Sequence, residues 1–432
     1  MSWIMCLLRS RLEAVKYSRQ DPAHGTVVLV RVLLLFESAM YSAITPVLPH
    51  YAHVLGASKP AVGVLAGAYP AGIIPGSLIG AWIASRTGVR RTTVIGLLLF
   101  AVSIAGFGFA TSILTLDALR FIQGAGCGFI WGGGLTWVIT VAPRERRGAM
   151  LGSVIGAAIF GTLIGPVLGI AAVTVGTGPV FAVVGASAIA LAAWTAHHPE
   201  PVRQPRSTET SSPLRDMARS PLIRLGSWLI LLEAATIGAT SALLPLRLAR
   251  FGAGSIVVGA VFLVSSLMSM AVSGPIGRTV DRRGAGAPLG VGLALTAILM
   301  VVLPLPHSAV LLAVVSVIAL GGPLTAYTIP ALTIITDTSE RLGIPLVVAT
   351  MMLNLAWAVG EVIGAPAAAN LSQATSDAIP LLALSAIMVL TLRPVIKARL
   401  TPTPTPASVS ATAAAAADSE AGESWVPAAA AR

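Results

Sequence analysis

Three carboxylates stand where carboxylates are least expected. Glu37, Glu233 and Glu361 each interrupt a long apolar run. A charge among apolar side chains is expensive. Inside a bilayer such a group is kept where it serves a proton, an ion or a polar ligand. Its neutral form holds a proton and its charged form attracts cations. Glu37 lies about ten residues, or about 15 Å, into its run, near the middle of a bilayer. Glu361 lies deeper along its own. One arginine, Arg120, has an equally apolar setting, and a buried Arg costs about 2.5–3.5 kcal/mol on insertion scales. It should therefore face a cavity or a carboxylate. Asp117, one turn away, offers a local ion pair instead. Glu37 has a structural alternative too, in a pair with Arg31 or Arg120. This chemistry is proton and cation exchange rather than covalent catalysis. No nucleophile stands beside a base. Cys6 and Cys127 have no metal-ligand spacing, and none of Lys16, Lys59 and Lys397 follows a Gly as a phosphate-binding loop requires. The expectation is no enzyme, no metal and no cofactor.

The elements that hold these groups must themselves live in lipid. Hydrophobic residues make up 55 % of the 432, charged residues only 10 %, and the mean hydropathy is +0.86. A soluble chain carries about a quarter of its residues charged. The shortage excludes soluble, disordered and fibrous classes. A membrane helix needs about 20 mostly apolar residues. Twelve runs qualify: 26–50, 60–84, 92–112, 114–141, 149–171, 178–196, 225–246, 255–277, 287–305, 308–336, 344–370 and 377–395. The expected organisation is a cytoplasmic lead (1–25), a six-helix bundle (26–196), a cytoplasmic linker (197–224), a second six-helix bundle (225–395) and a disordered cytoplasmic tail (396–432). The linker carries Pro199, Pro201, Pro205 and Pro213. The tail has a Thr-Pro repeat and an Ala-rich stretch.

The net charge of +11 does not point to nucleic acid, because most of the basic residues sit in short segments between apolar runs. With the N-terminus inside, 23 of the 28 Lys and Arg fall on the cytoplasmic side. Lys59, Arg247 and Arg250 fall outside, and Arg31 and Arg120 within helices. The positive-inside rule then puts both termini in the cytoplasm of a multi-pass protein of the cell's inner (plasma) membrane.

An internal repeat sharpens the picture. At an ungapped offset of 196, Glu37 falls on Glu233, Pro49 on Pro245, Gly56 on Gly252, Arg86 on Arg282 and Gly88 on Gly284. Residues 33–91 hold 14 identities in 59. Two pseudo-symmetric six-helix halves in parallel orientation are the plan of a secondary transporter.

Three motifs carry a family resemblance. Residues 81–91 read Ala-Trp-Ile-Ala-Ser-Arg-Thr-Gly-Val-Arg-Arg, with Ser85, Arg86, Gly88, Arg90 and Arg91. The second half repeats the pattern as Gly277, Asp281, Arg282 and Gly284. Residues 120–126 read Arg-Phe-Ile-Gln-Gly-Ala-Gly, and residues 161–169 place Gly161, Gly165, Pro166 and Gly169. This set resembles the major facilitator superfamily (MFS), and within it the twelve-helix drug:proton antiporters, over about residues 26–395. The resemblance implies an all-α membrane fold of twelve transmembrane helices. It implies that the two Arg loops gate the cytoplasmic side, and that Arg120 takes part in proton transfer. Ser85 stands where the family has Asp, which leaves the second loop as the fuller latch. Gly-Pro in the fifth helix favours an exporter, though a stripe of small residues also serves close packing. The expected function is proton-coupled export of a small amphipathic compound or drug by a monomer, with Glu37, Glu233, Glu361 and Arg120 as coupling and cavity residues. A metabolite facilitator or importer is the alternative, and a non-transporting membrane sensor the third.

Overall fold

The computed structural model describes residues 22–143, 146–200, 217, 219–344 and 346–397. The expected lead up to 21, most of the linker (201–216 and 218) and the tail from 398 lie outside the described residues, as does the side chain of Asp281. The described residues form helices in the order α1 (Pro22–Ala43), a 3-10 turn (Thr45–Val47), α2 (Leu48–Val54), α3 (Lys59–Thr87), α4 (Val89–Phe107), α5 (Ile113–Val141), α6 (Arg147–Val175) and α7 (Thr177–His197). The second half follows with α8 (Pro221–Arg250), α9 (Ser255–Arg283), α10 (Gly286–Val302), α11 (Ala309–Gly321), α12 (Pro323–Arg341), α13 (Leu346–Ala374) and α14 (Ala378–Lys397). Among the described residues eleven helical stretches are long and apolar enough to span a bilayer, and α10 is a shorter apolar twelfth.

Two of the twelve runs are broken where a single helix was expected. The first splits around Thr45–Val47, where Pro46 and Pro49 lack the N–H that would continue the helix ladder. The tenth splits at Gly322–Pro323 for the same reason. Irregular backbone at membrane depth is tolerated where it lines a cavity, and Leu320, Leu324 and Thr325 around the second break do line one.

The repeat is visible in the chain's turning points. Ser112 and Ser308, 196 apart, each cap a helix through the side-chain oxygen. Gly88 and Gly284 turn with φ of 97° and 83°, a region that favours glycine. The glycines of α6 show why they are glycines. A Cβ at Gly161, Gly165 or Gly169 would meet the carbonyl oxygens of Leu35, Ala39 and Ala43 of α1 at 2.2, 2.3 and 2.2 Å. In the second half Gly360 and Gly364 of α13 meet the carbonyls of Leu231 and Ala235 of α8 at 2.2 and 2.3 Å. Leu231 and Ala235 are Leu35 and Ala39 moved on by 196. The glycines are moved on by 199. The repeat therefore continues past a three-residue insertion that an ungapped slide could not register.

The apolar core falls into two large clusters, one from residues 27–192 and one from 217–395, and two small ones join the halves, Tyr69, Ile73 and Cys127 with Ala358, and Ala66 with Ala242 and Ala365. The halves pack together from mid-molecule to one end. There Gly63 and Gly67 of α3 abut Ala365, Pro366 and Ala369 of α13, and Gly259 of α9 abuts Ile170 of α6. An ionic knot fastens that end. Lys59 donates to Asp377 and, at 2.6 Å, to Ser372 Oγ, while Arg250 Nη1 lies 3.5 Å from Asp377. Burial works against ionising Asp377. The Lys59 and Ser372 hydrogen bonds and the charges of Lys59 and Arg250 outweigh it, and hold the carboxyl below its ordinary value. At the opposite end, which bears the Arg-rich loops, the positions of Gly152, Gly156, Gly274 and Gly277 face open space. The two halves thus form a clothes-peg, shut at the Lys59 end and open at the Arg86 end.

Candidate functional site

Glu37, Glu361 and Arg120 are all buried, and one aromatic chain connects them. Glu37 on α1 accepts hydrogen bonds from Tyr69 Oη of α3 and, at 2.8 Å, from Trp131 Nε1 of α5. Both of its oxygens are therefore engaged within the first half. One turn further along α1, Tyr41 Oη donates to Glu361 Oε1 of α13 at 2.7 Å. This bond crosses from the first half to the second. The Tyr41 ring packs against Tyr69 and against Trp357 of α13, with centroids 5.2 and 5.5 Å away. The other Glu361 oxygen, Oε2, is buried without a partner.

Arg120 takes neither partner that its sequence neighbourhood offers. Its Nη1 donates to Gln123 Oε1 at 2.9 Å, Nη2 lies 3.5 Å from the Tyr41 carbonyl, and the guanidinium lies over the Tyr69 ring at 4.6 Å. Asp117 Oδ1 is left unpartnered. Arg31, the other candidate partner of Glu37, donates instead to Ser153 Oγ at 3.0 Å. The arrangement can hold a proton on a carboxylate and a cation beside it, in a site closed to solvent.

Glu233 is elsewhere. It lines a cavity of about 330 Å³ framed by α8, α9, α11 and α12, with α6 contributing Ile159, Thr162 and Leu163 from the first half. Glu37 is not among the lining residues. Glu37 and Glu233, equivalent in the repeat, therefore do not line one cavity. Trp131 and Tyr69 draw Glu37 into its own half, whereas Glu233 opens onto hydroxyl-bearing helices. Among the described residues no group of three or more His, Cys, Asp and Glu could hold a metal ion.

A family model described as Major Facilitator Superfamily matches residues 32–365. The chain belongs to the Major Facilitator Superfamily. Over 225 residues it is 25 % identical to the uncharacterized MFS-type transporter YcaD of Escherichia coli O45:K1 (strain S88 / ExPEC), covering 52 % of this chain. The chain spans only 58 % of the length of that relative. Among solved structures it is similar to a bacterial homolog of the human lysosomal transporter Spinster in an inward-facing, occupied conformation. The TM-score is 0.70 at 15 % identity, over 86 % of this chain and 96 % of that one. A D-xylose-proton symporter gives 0.67 at 15 % identity, over 85 % and 96 %. At such identities the likeness is one of fold. This MFS protein is accordingly a multi-pass membrane protein, and its eleven spans and shorter apolar α10 among the described residues fit the twelve-span MFS fold.

Its two Arg loops lie at the open end. Arg86 lies over the Trp82 ring at 4.1 Å. Arg90 pairs with Glu200 at 3.4 Å and donates to the His198 carbonyl at 3.3 Å. Arg91 and Arg282 are exposed, Gly277 is half-buried, and Gly88 and Gly284 serve the turns. His198 packs against Trp137 and hydrogen-bonds Thr26 at 3.1 Å, and its burial lowers its pKa. In α6, Pro166 lies on the side facing α9, away from the glycine stripe.

Tyr41, Tyr69, Trp131 and Trp357 were missed as site residues. Tyr41 had a faint signal, since a spacing of four puts it on the same helix face as Glu37. The other three sit on separate helices and had none. The basic residues Lys59, Arg247 and Arg250, which stood against the charge count, turn out to have jobs at the shut end. Arg247 donates to the carbonyls of Leu303 at 3.0 Å, Pro304, and Pro306 at 3.0 Å.

Proposed function

We propose that this transporter couples proton movement to export of a small amphipathic compound, working as a monomer by alternating access. The observation that carries the reading is the charge imbalance around Tyr41. One buried guanidinium, Arg120, shares the region with two buried carboxylates, and only Glu37 has donors on both oxygens. Two unneutralised carboxylates beside one cation would leave a net charge in lipid. The arrangement is cheapest when Glu361 holds a proton and Glu37 is the ionised partner of Arg120. Glu361 also receives the bond that crosses between the halves. Its protonation would therefore bias which end of the peg is shut. On this reading the proton switch is Glu361, the substrate cavity is the one that Glu233 lines, and Arg120 tunes the switch. The Gly-Pro step of α6 supports export.

The charge count supports an orientation in which the Arg-rich end faces the cytoplasm of a cell's inner membrane, so the open end faces inward. The loops at Arg86 and Arg282 would then close as the other end opens. Labelling of single cysteines in sealed cells should reach a probe at Ser58 or Thr177 and not one at Ser207. Labelling at Ser207 overturns the orientation.

The decisive experiment is transport in proteoliposomes under an imposed pH gradient. Glu361→Gln should assemble normally and lose gradient-driven transport while retaining substrate exchange. Gradient-driven transport at the wild-type rate in this variant overturns the proton-switch assignment. Transport that ignores the gradient in the wild type favours a facilitator.

A further inference from the structure

The Glu233 cavity has a one-sided hydrogen-bonding character. Eight Ser and Thr side chains line it, and each hydroxyl has one proton to give and lone pairs to offer. Thr162, Thr240, Ser265, Ser266 and Ser273 turn that proton back onto a carbonyl of their own helix, at 2.6–2.9 Å, and Thr328 divides its proton between the Leu324 carbonyl, at 2.9 Å, and Glu233. Thr325 donates to the Gly321 carbonyl at 3.2 Å, so the proton between Ser269 and Thr325 belongs to Ser269. All eight protons are then spoken for. What the hydroxyls present to the space is lone pairs. Among the described lining residues none is Lys, Arg, His, Asn, Gln, Trp or Tyr, so no lining side chain brings an N–H donor or a positive charge. The one ionisable group is the Glu233 carboxylate. The remaining walls, Phe262, Met270, Ile237 and Leu332 among them, are apolar.

An acceptor-only lining with one carboxylate is the complement of a ligand that brings donors and positive charge. An anion would meet a carboxylate with no cation to offset it. A neutral acceptor would have to pull a hydroxyl away from its helix carbonyl. A protonated amine supplies up to three N–H groups. One would pair with Glu233 as a charge-assisted bond, and the others would meet hydroxyl lone pairs. We propose that this cavity binds a small protonated amine with an apolar body, its ammonium on Glu233, and rejects carboxylates and phosphates of the same size. The proposal rests on the reading of this cavity as the transport site. It fixes the charge and donor pattern that the reading leaves open.

The test uses the full-length purified protein and three probes with one ring and different heads: benzylamine, benzyl alcohol and benzoate. Binding is measured by ligand-induced thermal stabilisation with no pH gradient, so that proton coupling plays no part. Benzylamine should stabilise the protein in a saturable way, benzyl alcohol less, and benzoate not at all. Glu233→Gln should weaken benzylamine at least tenfold, about 1.4 kcal/mol. The paired change Ser269→Ala with Thr325→Val should weaken it several-fold while leaving Glu233 in place. Benzoate binding as well as benzylamine, no stabilisation by benzylamine, or an unchanged affinity in Glu233→Gln each overturns the proposal. The selectivity is measured on the wild type, so it decides the matter even if a variant fails to fold. Amine binding without gradient-driven transport would sustain this proposal and sink the proton-coupling reading. Gradient-driven transport that amines do not compete with would do the reverse.

Discussion

At the scale of single residues, the two carboxylates near Tyr41 should respond differently to the same change. Glu37 accepts from Tyr69 and Trp131, so in Glu37→Gln the amide oxygen can keep the Trp131 bond only if the amide N–H₂ faces Tyr69 and turns its hydroxyl from donor into acceptor. Loss of the bonds to a charged carboxylate should cost about 1.5–3 kcal/mol. A lower thermal midpoint in detergent would record it. A variant as stable as the wild type would mean that Glu37 is normally protonated. Glu361 has one donor and one bare oxygen. Glu361→Gln keeps the acceptor for Tyr41 and should be nearly neutral for stability. Tyr41→Phe removes the one hydrogen bond that Glu361 accepts among the described residues. Its ring contacts with Tyr69 and Trp357 survive, so the fold should persist. Transport should fall about tenfold or more with its pH profile shifted, since one lost bond to a charged group is worth about 1.5–3 kcal/mol. An unshifted profile would take Tyr41 out of the coupling.

At the scale of elements, the glycine stripe of α6 separates a packing role from a functional one. Gly165 lies against Ala39 O and Ser42 Oγ of α1, with room for no Cβ, whereas Gly156 on the same helix faces open space. Gly165→Ala should force α1 and α6 apart and destabilise the protein by about 1–3 kcal/mol. Gly156→Ala should be neutral or slightly stabilising, as Ala is the better helix former. Equal melting temperatures for the two variants would dissolve the distinction. The second half makes the same contact with Gly360 and Gly364, and α13 has no Gly-Pro step there. The glycines are therefore common packing hardware. The direct Gly-Pro step is particular to α6, but α13 has its own proline, Pro366, one residue later in register and likewise against the other half.

At the scale of the whole molecule, the shut end depends on a salt link whose pH dependence has a definite sign. The Asp377 carboxyl is held below its ordinary value, so its contribution to closure is complete above the free-acid value of about 3.9. That contribution is lost as pH falls through the still lower value of the folded, shut state. Closure should thus be constant at neutral pH and weaken only under strong acid. Asp377→Asn should remove the charge link at all pH values and shift the population toward opening at the Lys59 end. Spin labels at the exposed Ser58 and Ser376 would report it as a longer distance. An unchanged distance distribution would assign closure to the helix contacts of Gly63 and Gly67 alone.

Composition, run length and the offset of 196 were enough to define a twelve-helix membrane protein in two related halves. Lipid imposes those features locally, on every stretch of about 20 residues, and a repeat is written directly in the chain. The loops at Gly88 and Gly284 were legible for the same reason, since each is settled by a few neighbouring residues. The sites were not legible in that way. Identical positions in the repeat, Glu37 and Glu233, have different surroundings. Their neighbours come from other helices that are not identical, Tyr69 and Trp131 in one case and the hydroxyls of α9 and α12 in the other. Arg120 bypassed the nearby Asp117 because helix packing put Tyr41 and Tyr69 within reach on the side where Gln123, one turn along the same helix, also accepts from it. The Lys59–Asp377 link joins residues 318 apart. Sequence spacing fixes which face of one helix a group occupies. Which partner it finds depends on how the helices pack, and that is a property of the folded whole.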